Sequence, residues 1–113
     1  LLVSIPAYAG KKIQIGLASN FSELSTVSFN PYGGYFRNGI MLAIEHNKGR
    51  LKQKEIELVV KEYDYGSDDL NVMKAVDQAD RDGVTAVIGY NYSSNALMAA
   101  PLHVKRKLLA QTI

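Results

Sequence analysis

The chain has 113 residues, 47% of them hydrophobic and 21% charged, with thirteen basic against eleven acidic residues and a formal net charge of +2. That length suits one domain able to bury roughly two thirds of its unfolded surface; the composition excludes a disordered chain, and weak, unclustered charge gives no reason to expect nucleic acid as a partner. The absence of cysteine excludes disulfides, thiol catalysis and thiolate metal sites, and the two histidines, His46 and His103, are too far apart in sequence for an expected metal centre.

The first ten residues, LLVSIPAYAG, are uncharged and mostly apolar. Ala7-Tyr8-Ala9 has the small-x-small form of a signal-peptidase site. Residues 1–9 are therefore expected to be the tail of a secretory signal peptide cleaved after Ala9; the alternative is a short edge strand or a loose arm. An export signal places the rest of the chain, residues 10–113, in the periplasm or another extracytoplasmic space. No apolar run reaches the ~18 residues of a membrane span.

KIQIGLA, from Lys12 to Ala18, alternates Ile13, Ile15 and Leu17 on one face and predicts a strand. NFSELSTVSFNPYGG, from Asn20 to Gly34, has no period and reads as a long loop, a form that in compact domains usually serves function. Phe36, Ile40, Ala43 and Ile44 at helical spacing predict a helix over 35–47, stopped at Gly49. EIELVVKEY predicts a second strand over 55–63. Gly66, Ser67, Asp68 and Asp69 supply turn and N-cap chemistry for a helix over 70–81 that stops at Gly83. VTAVIG, over 84–89, predicts a strand buried on both faces. A third helix over 94–107 puts Leu97, Ala100 and Val104 on one side, with three cations near its C-terminus. Leu108 to Ile113 predicts the fourth strand.

This β-α-β-α-β-α-β order implies right-handed crossovers and an α/β fold of three αβα layers. The expected sheet is parallel and doubly wound, about four strands in order 2-1-3-4. In such sheets ligands bind at the carboxyl ends of strands where the order reverses. Here that is between strands one and three. The loop after strand one is the unexpectedly long one, and the loop after strand three, Tyr90 to Ser94, is rich in hydroxyls and rings. Its chemistry is that of binding. A helix N-terminus favours a carboxylate or phosphate, and Ser93 and Ser94 can donate to the same anion. Equally, either serine can cap its own helix. Tyr32, Tyr35, Tyr90 and Tyr92 can flank a ligand or pack on the sheet edge. Asn20 sits where strand one opens into its loop.

Enzymatic constellations fail. There is no GxGxxG, GxxxxGK[ST] or GxSxG, and neither histidine stands near a nucleophile. Strand one ends in Ala18-Ser19-Asn20, without the acid of a phospho-acceptor domain. Asp64, Asp68 and Asp69 lack the calcium-loop pattern, and capping is the expected role. An enzyme of flavodoxin-like architecture would have only Glu23 at the relevant loops. Neither catalytic residues, nor a metal, nor a cofactor is expected.

Four segments in register resemble the N-terminal lobe of type I periplasmic binding proteins, in particular the leucine/isoleucine/valine group of ABC-transporter solute receptors. They are IQIGLAS; YGGYFRNGIMLAIEHNKG, through Tyr32, Gly33, Gly39, Ala43, Glu45, Asn47 and Gly49; KEIELVVKEYDYGSD; and DGVTAVIGYNYSSNALMAAP, through Asp82, Gly83, Val84, Gly89, Ser93, Ser94, Ala100 and Pro101. A mid-helix proline costs ~3 kcal/mol on propensity, yet the family shows one at the place of Pro101. The resemblance implies two lobes that close on a small solute, with the second lobe beyond Ile113. It implies that Ser93 helps hold a ligand carboxylate and that Tyr32 lines the pocket. It further implies a small polar solute, an amino acid or related carboxylate, and an ABC-transporter permease as partner. The same lobes also serve as sensory ectodomains, with a signalling output domain instead. The loop over 20–34 is longer than the family's, which separates its specificity from the family's own. A sheet ending at the fourth strand leaves open edges, so self-association is expected as well.

Overall fold

The computed structural model describes residues 10–22, 32–66 and 68–112. The expected signal remnant, Glu23 and the rest of the long loop through residue 31 lie outside the described residues, as do Ser67 and Ile113. Seven elements alternate: β1 (Lys11–Ser19), α1 (Tyr32–Gln53), β2 (Ile56–Asp64), α2 (Asp69–Asp82), β3 (Ala86–Ile88), α3 (Ser93–Arg106) and β4 (Leu109–Gln111). All strands are parallel, in the order β2-β1-β3-β4, as the alternation predicts. The β1–β2 ladder runs from Lys11 opposite Ile56 to Ser19 opposite Asp64. The β1–β3 ladder is short, from Ile15 opposite Ala86 to Leu17 opposite Ile88.

The step from β1 to β2 moves across the sheet in one direction, and the next two steps move in the other. Right-handed crossovers therefore put α1 on one face and α2 with α3 on the opposite face. The core lies on the α2–α3 side. Ala18, Tyr63, Tyr65, Val87 and Tyr90 pack there against Val72, Val76 and Ala79 of α2 and Ala99 of α3. Arg106 of α3 joins the two helices, pairing with Asp77 at 2.7 Å and Asp80 at 3.3 Å on α2.

The α1 side is thinner. A helix about 10 Å across covers about two strands spaced 4.8 Å apart, and α1 lies against β2. Phe36, Ile40 and Ile44 are half-buried as a result, and Ala43 is exposed. The same thin cover corrects the expectation for the third strand, whose Val87 is buried while Ala86 and Ile88 are only half-buried. β4 is exposed along its length.

Element ends also differ from the sequence pattern. α1 begins at Tyr32 and runs through Gly49 to Gln53. A glycine inside a helix costs only about 1 kcal/mol, which the continuing hydrogen bonds offset. The stop comes instead at Glu55, whose φ is 54°. α2 behaves as expected: the Asp68 side chain accepts from Leu70 N, and Gly83 ends the helix at φ 74°.

The largest correction concerns the face of α3. Leu97 and Val104 are 75% and 79% exposed, and Ala100 is exposed beside them. The buried face is Asn95, Ala99 and His103, spaced four apart. Apolar periodicity mislocates this face because two of its three residues are polar. Pro101 sits inside the helix on the exposed side.

Two predictions follow from packing. A Cβ at Gly89 would lie 2.4 Å from the Ala18 carbonyl oxygen, so Gly89→Ala forces β3 away from β1. The expected loss of stability is about 1–3 kcal/mol, read from urea unfolding. Separately, the Tyr63 hydroxyl donates to Asp82 at 2.6 Å, and Gln78 donates to the other carboxylate oxygen at 2.9 Å. Those bonds, the tyrosine's first, hold the Asp82 carboxyl below its ordinary range. A carboxyl depressed on folding contributes stability above its unfolded pKa and loses that contribution as pH falls through the folded value. Tyr63→Phe is therefore expected to flatten the acid limb of a stability-against-pH curve.

Candidate functional site

Three strand ends lie side by side at the carboxyl edge: Ser19-Asn20 after β1, Asp64-Tyr65 after β2, and Gly89 to Tyr92 after β3. Ser19 and Asn20 are almost wholly buried. Asn91 joins all three ends. Ser19 Oγ donates to Asn91 Oδ1 at 2.5 Å, Asn91 Nδ2 donates to Asn20 Oδ1, and the Asn91 backbone N–H donates to the Tyr65 hydroxyl at 3.0 Å. Tyr65 N in turn donates to the Ser19 carbonyl at 3.1 Å. The end of β1 and the loop after β3 thus meet at the reversal of strand order.

Behind this edge stands a buried aromatic pair. The Tyr90 ring lies 6.0 Å from that of Tyr65 and edge-on to His103 at 5.8 Å. His103 Nδ1 is 2.9 Å from the Leu108 carbonyl oxygen, and Nε2 is 2.5 Å from the Tyr90 hydroxyl. A carbonyl only accepts, so Nδ1 carries the proton and Nε2 accepts from Tyr90. Burial, with the neighbouring Tyr65, pushes ionisation of Tyr90 well above the ordinary tyrosine range.

In front of the edge, α3 begins. Its N-cap is Tyr92, in extended conformation, whose side chain makes no capping hydrogen bond. Neither serine takes the capping position. The first-turn N–H groups therefore keep their partial positive charge, equivalent to about half an elementary charge. A cleft of about 110 Å³ opens beside this start, bounded by Tyr65, Gly66, Asp68 and Asp69 from the β2–α2 turn and by Tyr92, Ser94 and Asn95 from α3.

Of the residues singled out in the sequence, Tyr92 and Ser94 come together on the cleft. Ser93 is the exposed first residue of α3, next to them. Asn20 is turned inward onto Asn91 and supports the edge. Tyr32 opens α1, and its side chain lies outside the described residues. Asn91, Tyr65 and Asn95 are not among the residues the sequence points to, and His103 is weighed there only as a metal ligand or a catalytic partner. Strand order 2-1-3 points to the first two, since it sets the ends of β2 and β3 on either side of β1. Nothing local marks the other two. Around the mouth, Phe21 stacks on Phe36 at 6.3 Å and lies 4.6 Å beneath the Arg37 guanidinium, which pairs with Glu62 through two bonds of 2.5 and 2.8 Å. These contacts fasten the start of the β1 loop to α1 and β2. Among the described residues no group of three or more His, Asp or Glu could hold a metal, and no helix is long and apolar enough to cross a membrane.

No protein-family model matches the sequence, and no curated protein matches it. Solved structures do. A leucine-binding protein from Thermotoga maritima is 26% identical, with a TM-score of 0.70 over 88% of this chain and 27% of its own. A possible leucine/isoleucine/valine-binding protein from Rhodopirellula baltica reaches a TM-score of 0.77 at 19% identity, over 92% of this chain and 27% of its own. A branched-chain amino-acid transporter substrate-binding protein from Streptococcus pneumoniae, in complex with isoleucine, is 24% identical with a TM-score of 0.71, over 90% and 28%. The chain has the fold of part of the leucine/isoleucine/valine-binding, ABC-transporter substrate-binding proteins. It spans about a quarter of their length. These neighbours are solute-binding proteins, not enzymes.

The Tyr90–His103 bond is expected to steady the edge at Asn91. Tyr90→Phe should speed hydrogen exchange of the Asn91 amide roughly five- to tenfold, the worth of about one hydrogen bond. His103→Gln, which keeps an acceptor for Tyr90, should exchange more slowly than His103→Asn, which keeps only the donor to Leu108. Equal exchange in the two histidine variants would remove Tyr90 from this role.

Proposed function

We propose that this chain is the N-terminal lobe of an extracytoplasmic substrate-binding protein that delivers a small carboxylate-bearing solute, an amino acid or a relative of one, to an ABC transporter. The observation that carries the proposal is the N-terminus of α3 at the carboxyl edge, without a capping bond from its N-cap Tyr92 and held beside the end of β1 by Asn91. A carboxylate there meets backbone N–H groups already oriented by the helix and the hydroxyls of Ser93 and Ser94. Tyr92 flanks it, and the likeness to the substrate-binding proteins gives Tyr32, at the head of α1, the part of a pocket residue. Asn20 acts one step back, by fixing Asn91.

The lobe binds and does not transform. No acid–base pair faces this position among the described residues, and the solute-binding neighbours support the same reading. Residues 1–9 are the end of an export signal, and a second lobe closes over the solute. Closure excludes water, and both the buried surface and the dry hydrogen bonds add to affinity. The open edge of β4 offers a place for further strands of the same protein, or for a second copy of the lobe.

The test is calorimetry on the full-length protein with a panel of amino acids and small carboxylic acids. At least one should bind, and Ser93→Ala should weaken it roughly ten- to a hundredfold, the worth of one hydrogen bond to a charged group. Failure of the whole panel, or unchanged affinity in the serine variant, would overturn the carboxylate position.

A further inference from the structure

We infer that the amino edge of the sheet, at the opposite ends of the strands from the candidate site, docks on an anionic lipid bilayer. Because every strand is parallel, all three helices end at this one edge. β1 opens there with Lys11 and Lys12. α1 brings Arg50 and Lys52 in its last turn, and Lys54 follows. α2 brings Arg81; α3 brings Lys105 and Arg106, with Lys107 next. In the sequence these cations are scattered in ones to threes, and the fold gathers them. All nine are exposed. Five acids share the edge, Glu55, Glu57, Asp77, Asp80 and Asp82. Cations therefore exceed acids there by four, where the whole chain has a formal net charge of +2.

Cations at a helix C-terminus offset the negative end of the helix dipole. Three helices call for about half a charge each, which a few of these residues supply. Arg106 is also paired, with Asp77 and Asp80. The surplus stands at a tip. β1 and β2 begin level with each other, and β3 joins β1 only at Ile15. The tip thus leads the rest of the edge by four residues, about 13 Å. That exceeds the Debye length of about 10 Å at 0.1 M salt. The tip's own cations are Lys11, Lys12, Arg50, Lys52 and Lys54, and none of them forms an ion pair among the described residues. Only Glu55 and Glu57 accompany them, so the tip acts as a cationic patch in its own right.

Such a patch needs an anionic partner, and the neighbouring sequence selects the kind. Residues 1–9, uncharged and mostly apolar, enter the lobe at the tip, immediately before Gly10 and Lys11. An apolar segment beside a cluster of Lys and Arg is the two-part form that holds a protein on an anionic bilayer, each cation near the surface contributing roughly fivefold. An acidic polypeptide would leave the apolar segment without a part. Placing residues 1–9 in the membrane before cleavage rests on their reading as an export signal; the charge of the tip does not. Docking by the tip leaves the carboxyl edge turned away from the bilayer and open to solute.

The test is co-sedimentation of the full-length protein with vesicles of phosphatidylcholine, alone or with about a third phosphatidylglycerol, at about 0.1 M salt. The protein should bind the anionic vesicles and not the neutral ones. Lys52→Gln with Lys54→Gln should weaken binding at least roughly tenfold, and so should Lys11→Gln with Lys12→Gln. Lys61→Gln with Lys74→Gln, the same change of net charge away from the tip, should cost less than about twofold. The two tip pairs are independent, so a folding defect in one, seen by circular dichroism, leaves the other as the measure. Three results would each overturn the docking edge: equal binding to neutral vesicles, equal losses in the tip and control pairs, or binding to soluble polyglutamate as tight as to the vesicles at matched charge, which would assign the edge to an acidic polypeptide. N-terminal sequencing shows separately whether residues 1–9 have been removed, and vesicle binding is read whether or not a carboxylate binds at Ser93.

Discussion

Asn91 bonds to three strand ends at once, and the candidate site depends on that convergence. Its side chain reaches Ser19 and Asn20 and its backbone reaches Tyr65. Each bond contributes only about 1 kcal/mol net. Their loss would do more harm, because Ser19 and Asn20 are buried and would be left with unmet polar groups. The convergence is possible because β3 approaches β1 closely at Gly89, where a side chain has no room. Backbone proximity sets the edge, and the polar bonds hold it in one arrangement.

The support behind the edge is polar as well. His103 ties the start of β4 to Tyr90, and Tyr90 packs on Tyr65, the residue that receives Asn91. A buried histidine is acceptable here because both ring nitrogens have partners, and those partners select its tautomer. The C-terminal half of α3 is thereby coupled to the corner from which α3 begins. Among the described residues the opposite face of the sheet has less support, with one helix, α1, lying against β2. The better-packed side of the sheet is therefore the side on which the candidate site lies.

The two helix starts at the cleft are treated differently. α2 has its own cap in Asp68, so its positive end is met within the chain. α3 begins at Tyr92, whose side chain makes no capping bond.

Much of this was legible in the sequence. Alternating Ile13, Ile15 and Leu17, the capped helix from Asp68 to Gly83 and the repeated β-then-α spacing determine the parallel sheet and its order, because period and capping are local properties. Strand order also brings the end of β1 beside the loop after β3, where Asn91 joins them. The extent of α1 past Gly49, the buried face of α3 and the roles of Asn91, Asn95 and His103 were decided only in the tertiary structure. A polar residue enters a core when a partner from a distant segment satisfies it, and no short window of sequence contains both halves of such a bond.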